Sequence, residues 1–141
     1  MLLGLPQCGE PAVHELLRRI EVNELLGNAD MHLKNLGLIY RDRQHAELAP
    51  AYDITHAYRP GSEWVAEHQM SINGKFDNIT RADVRTVAER FDLLAELPDA
   101  IENVRDAVAQ WPALAKAAEI DPVEIETIHS HMVERAKIFA S

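Results

Sequence analysis

The sequence predicts a mainly α-helical domain carrying one small β-hairpin. Three observations lead there. Apolar residues recur at helical spacing from 11 to 26 and again from 80 to 140. Between these regions, two short apolar runs of β-forming residues flank a polar turn. No internal repeat, low-complexity tract or linker divides the 141 residues, a length that suits one buried core.

Residues 11–26, PAVHELLRRIEVNELL, read as the first helix, because Pro11 is tolerated in a first turn where its missing N–H has no partner to lose. Val13, Leu16, Leu17 and Ile20 form a stripe that Val22, Leu25 and Leu26 carry round the cylinder, so the helix should be central and buried. Gly27-Asn28 stops it. LGLIY (36–40), RDRQH (41–45) and AELAP (46–50) then predict a hairpin that returns Asp53 towards Asp30 and Asn35. Residues 55–79 are irregular, with a turn at Pro60-Gly61 and a short strand at HQMSI (68–72). Thr80, with Asp83 at the third position, caps a helix carrying Val84, Val87, Ala88, Phe91 and Leu94. Asp99 opens another with Ile101, Val104, Val108 and Trp111 on one side. Asp121-Pro122 starts the last, whose stripe is Ile125, Ile128, Met132, Ala136 and Phe139.

Composition narrows the function. A net charge of −9 and a pI near 5.2 remove the counterion-release attraction behind unspecific nucleic-acid binding, so direct DNA or RNA contact is not expected. Cys8 is the only cysteine, which excludes an intramolecular disulfide and a cysteine-based zinc cage; near the N-terminus and without a paired base it should be inert. No apolar run approaches the ~20 residues of a membrane span, and the N-terminus lacks a basic leader region, so a cytoplasmic protein is expected. Of seven histidines, His129 and His131 lie two apart on a predicted helix, on nearly opposite faces, and cannot clamp one ion together. His14, His45, His56 and His68 show no informative spacing.

The stretch GNADMHLKN (27–35) carries the chemistry. An acid followed five residues later by Asn, with a second Asp after a hairpin, is the layout of kinase-type phosphoryl-transfer sites. Asp30 would orient the attacking hydroxyl and accept its proton. Asn35 and Asp53 would supply two hard oxygen ligands for Mg²⁺ on the phosphates of ATP. Plainer readings exist: Asn-Ala-Asp as a helix cap and turn, Asp53 as the cap of a short helix, Lys34 as a solvated turn residue, His32 as a backbone hydrogen-bonder. None of them needs the hairpin to bring Asp53 back to the loop.

LLGNADMHLKNLGL followed by ELAPAYDITHAY resembles the HipA family of bacterial serine/threonine kinases, the toxins of HipA–HipB toxin–antitoxin modules. The signature positions are Asn28, Asp30, His32, Lys34 and Asn35 in the loop, then Leu48, Pro50, Tyr52 and Asp53 after the hairpin. IENVRDAV and the terminal VERAKIF extend the likeness over residues 1–141, with 11–53 as catalytic loop and metal-binding hairpin and 80–140 as helical tail. The resemblance implies the C-lobe of a protein-kinase-like fold, Mg²⁺ and ATP, phosphorylation of a protein serine, and a HipB-like antitoxin as partner. It assigns Asp30, with His32 and Lys34, to catalysis, and Asn35 and Asp53 to Mg²⁺.

The departure from the family lies in what residues 1–26 lack: an N-lobe sheet, a glycine-rich phosphate loop and a strand lysine. Phosphoryl transfer rests on positioning and electrostatics, so a C-lobe alone should be inactive unless a separate N-lobe polypeptide completes it. A truncated binding module or vestigial toxin fragment is the alternative. A metal-dependent hydrolase using the same Asp30, Asn35 and Asp53 would explain the carboxylates without the likeness. An uncovered seam at the first helix and hairpin predicts a homodimer or aggregation.

Overall fold

A computed structural model describes residues 9–42, 45–59, 61–94 and 97–140. Among the described residues five helices and a two-stranded hairpin run in the order α1 (Glu10–Leu26), a single 3-10 turn (Leu33–Asn35), β1 (Leu38–Tyr40), β2 (Ala46–Leu48), α2 (Arg81–Glu89), α3 (Leu97–Ala109), α4 (Trp111–Ala117) and α5 (Pro122–Ala140). Cys8 lies outside the described residues.

Helix α1 is the axis of the domain, with α2, α3 and α5 packed around it. Its Val13, Leu17, Ile20 and Leu25 join Val84 and Ala88 of α2, Val104 of α3 and Phe139 of α5 in one core. The helix ends because Gly27 adopts a left-handed φ of 69°, which lets its N–H reach the Glu24 carbonyl at 3.2 Å and the Asn28 N–H reach that of Asn23 at 2.8 Å. β1 and β2 pair antiparallel in the register Leu38↔Leu48, Ile39↔Glu47, Tyr40↔Ala46. The hairpin lies on the N-terminal half of α1, where Ala46, Leu38 and Leu48 meet Ala12 and Leu16. Its exit is tied down by Arg19, which donates to the Ala49 carbonyl at 2.6 Å.

Local chemistry explains the helix boundaries. Thr80 and Asp83 form a reciprocal capping box at α2, with the Thr80 N–H donating to Asp83 Oδ2 at 2.9 Å. Asp121 accepts the Val123 N–H at 2.8 Å ahead of Pro122 in α5.

Four expectations need correction. HQMSI forms no strand: Ile72 makes a single bridge with Lys75 across an Asn73-Gly74 turn whose φ values are both positive, and the His68 N–H reaches the Phe76 carbonyl at 2.8 Å, which does not extend into a ladder. Helix α3 begins at Leu97, two residues before Asp99, because Pro98 is acceptable in a first turn. Trp111 does not continue α3. Pro112 has no N–H and would clash with the preceding turn, so the chain breaks at Gln110 and restarts as α4. Leu94 is exposed because the chain turns left-handed at Asp92 (φ 59°), and Leu93 takes the core position instead. The turn at 59–62 does form, with the Ser62 N–H on the Arg59 carbonyl at 3.1 Å and Gly61 at φ 79°; Pro60 lies outside the described residues.

Candidate active site

The loop 27–35 leaves α1 directly above the core and is held from below. Met31 is buried, and its sulfur accepts the Asn23 side-chain amide at 3.2 Å. The same amide donates to the Arg19 carbonyl at 2.7 Å. Asn28, 1% exposed, donates from Nδ2 to Asn23 Oδ1 at 2.6 Å and to the Asp53 carbonyl at 3.2 Å. One side chain therefore fastens the start of the loop to the residue that follows the hairpin. Asparagine suits this position because a buried amide offers two donors and an acceptor without carrying charge.

The far end of the loop is fastened as well. Asn35 Nδ2 donates to the Asp30 carbonyl at 3.3 Å, closing the loop on itself and not engaging the Oδ1 acceptor. The Tyr52 hydroxyl donates to the Lys34 carbonyl and fills the space beside Gly37, where a Cβ would stand 3.2 Å from that oxygen. Asp53 itself sits at φ 57°, a left-handed conformation that Asp tolerates better than most residues. Such a conformation aims its side chain differently from that of an extended neighbour.

Of the residues singled out in the sequence, Asp30 and Asn35 are thus joined through Asn35, and Asp53 is joined to the loop through its carbonyl. The Asp53 side chain is exposed and that of Asp30 half-buried. Among the described residues neither carboxylate has a hydrogen-bond or ion-pair partner. His32 precedes the 3-10 turn with a buried Nδ1 that has no partner among the described residues. Lys34 extends into solvent. Among the described residues no three His, Cys, Asp or Glu side chains form a metal cage. The donor set that does occur, two free carboxylates and an amide oxygen, is all hard oxygen. It fits a Mg²⁺ that takes one or two protein ligands and completes its shell with water and phosphate.

Sequence reasoning missed what stands behind this loop. Glu24, 1% exposed in the last turn of α1, pairs one oxygen with His68 Nε2 and the other with Arg135 Nη2 of α5 at 2.6 Å. Arg135 also holds Asp77 at 3.0 Å. Burial would lower the Arg135 pKa, but Glu24 and Asp77 together raise it. His56 stacks on His131 at 5.4 Å between centroids, and Tyr58 stands edge-on to His131 at 5.2 Å. Burial, with His131 second, lowers the His56 pKa. Glu21 is fully buried with neither oxygen paired among the described residues, and burial pushes it up to about 7 despite Arg18 and Arg81. The available signal was three polar residues, Glu21, Asn23 and Glu24, in a helix whose apolar residues already encircled it.

A sequence model of the HipA-like C-terminal domain matches residues 2–138. The chain belongs to that family. Among curated proteins this HipA-like domain is similar to one of Sinorhizobium fredii named "Putative kinase Y4dM", at 34% identity over 125 residues, covering 84% of this chain and 30% of the relative. A Haemophilus influenzae protein named "Putative kinase" is 51% identical over 40 residues, 28% of this chain and 12% of the relative. The HipA-like domain described here therefore spans less than a third of the length of these relatives. Among its described residues no helix is long and apolar enough to cross a membrane.

Proposed function

We propose that this domain is the catalytic-loop lobe of a HipA-like serine/threonine kinase that transfers a phosphoryl group from Mg-ATP to a protein serine. The observation that carries the reading is the double fastening of the loop, Asn28 to the Asp53 carbonyl and Asn35 to the Asp30 carbonyl, with both carboxylates unbonded among the described residues. Free carboxylates held on braced backbone suit a site that must receive a hydroxyl and a cation.

In this reading Asp30 accepts the hydrogen bond of the serine hydroxyl and takes its proton as the oxygen–phosphorus bond forms. The bond from phosphorus to the bridging oxygen breaks, and ADP leaves. Asn35 Oδ1 and the Asp53 carboxylate would hold Mg²⁺, which neutralises phosphate charge when bound. Lys34 stands in solvent beside the loop, where it can meet a phosphate, and His32 organises the turn that presents it. An N-lobe would close over the nucleotide, supplied by more of the same protein or by another chain, and a HipB-like antitoxin is the expected regulator. The names of the two relatives agree with a kinase.

The experiment is calorimetric titration of ATP with Mg²⁺ into the purified domain and into Asp53→Ala. Saturable, Mg²⁺-dependent binding that disappears in the variant is expected. Absence of binding in both proteins would overturn the reading and favour a non-catalytic binding module. Phosphate release from a phosphomonoester with Mg²⁺ and no ATP would instead identify a hydrolase.

A further inference from the structure

Two residues of α5, one helical turn apart, reach both halves of the candidate site from behind. His131 stacks on His56, three residues after Asp53, and the two rings share a hydrogen bond of 3.3 Å between His131 Nδ1 and His56 Nε2. Arg135 binds Glu24, three residues before Gly27, at 2.6 Å. The halves meet at Gly27. Its carbonyl accepts the Ala57 N–H at 3.2 Å, and a Cβ there would stand 3.5 Å from both His56 and Tyr58.

We infer that His131 and Arg135 are positioning residues, which set the separation between the 28–35 loop and Asp53. The inference rests on the reading of this site as a Mg-nucleotide site. Helix packing alone does not call for such groups: apolar residues of similar volume fill a buried position as well as an ion pair or better. An arginine fork that holds carboxylates from two chain segments fixes direction as well as distance. Arg135 does this for α1 and for Asp77. His131 does the equivalent for the segment after Asp53, where one shared proton and the Tyr58 edge define the ring position. Without these anchors both segments would keep their local hydrogen bonds while losing a common reference. A shift of about 1 Å between ligand-bearing segments is enough to cost on the order of a hundredfold in activity.

The test compares Arg135→Met and His131→Leu with Phe139→Leu, a core substitution on the same helix that removes neither the Arg135 ion pairs nor the His131–His56 contact. Amide hydrogen exchange at 27–35 and 53–57 is measured against global unfolding, and the Mg²⁺ dependence of ATP binding is measured by calorimetry. The two positioning variants are expected to speed exchange in both segments about tenfold beyond the change in global stability, and to raise the half-saturating Mg²⁺ concentration by a similar factor. Phe139→Leu should move exchange only in step with global stability. The same in-step behaviour in Arg135→Met and His131→Leu would overturn the inference. His131 is half-buried, so His131→Leu decides the matter if Arg135→Met does not fold. If the unmodified domain binds no Mg-ATP, the kinase reading fails while the exchange comparison still tests the positioning role.

Discussion

The C-terminal half of α1 and the α3–α4 pair are both helical and touch one another, yet they bury different chemistry. Between Glu21 and Asn28 the chain buries two carboxylates and two amides, each at most 3% exposed. Across α3 and α4 the buried described residues are Val104 and Ala115, and Leu114 remains 60% exposed beside an apolar groove of about 340 Å³ that Val22, Leu26, Val108 and Trp111 help to line. Apolar packing tolerates slack because dispersion and burial depend weakly on direction. Hydrogen bonds and ion pairs do not. Buried polar groups that find partners specify one arrangement, and here Asn23, Glu24 and Asn28 do so under the loop that carries Asp30 and Asn35.

The comparison can be broken most forcefully at Glu24. Glu24→Ala leaves Arg135 buried beside a single, partly exposed Asp77, and a loss of about 3–5 kcal/mol in urea unfolding is expected. A loss below about 1 kcal/mol would show that the pair contributes no more than a surface bridge.

Glu21 tests the same region in the opposite direction. Burial pushes its folded pKa up to about 7, above the ordinary 4.5 of a glutamate, so the folded state binds the extra proton and stability falls as pH rises from 4.5 through 7. Glu21→Gln should flatten that part of the pH–stability curve and gain up to about 3 kcal/mol at pH 8. Unchanged curvature would mean that the carboxylate finds a partner in solution.

A smaller effect sharpens the contrast with the helical tail, where a boundary depends on its cap. Asp83 is held well below the usual carboxylate range: burial alone would raise it, but Lys75, the Thr80 N–H, Asn73 and the Thr80 hydroxyl outweigh that. Its contribution is fully present above pH 3.8 and is lost as pH falls through the lower folded value. Thr80→Ala should cost about 1 kcal/mol by thermal unfolding. The smallest effect belongs to the exposed Arg85–Glu89 pair on α2, at 3.3 Å. Arg85→Ala should leave the melting temperature where it is within error.

How much of this was legible in the sequence follows the range of each interaction. The Thr80–Asp83 box, the Asp121-Pro122 start and the Gly27 stop act within a few residues, and each could be read directly. The hairpin could be read because its two runs flank a short turn. Misreadings arose where one local rule competed with another. Helical periodicity ran through Trp111, but Pro112 ended the helix; it ran through Leu94, but Asp92 turned the chain.

The candidate site divides along the same line. Asp30, Asn35 and Asp53 were singled out in the sequence because their residue types and order carry a chemical layout; their roles belong to the proposal, and the family match shows only that the chain is HipA-like. The hydrogen bond from Asn28 to Asp53 spans 25 positions, the Glu24–Arg135 pair 111 and the His56–His131 pair 75. The hairpin accounts for the first; nothing in a linear pattern connects residues at the other two separations. The sequence by itself determined where helices begin and end and which oxygen-bearing residues are offered. Tertiary structure alone decided which buried charges meet, because their pairing depends on packing α5 against α1, and the energy of a buried charge is set by the partner that packing brings to it.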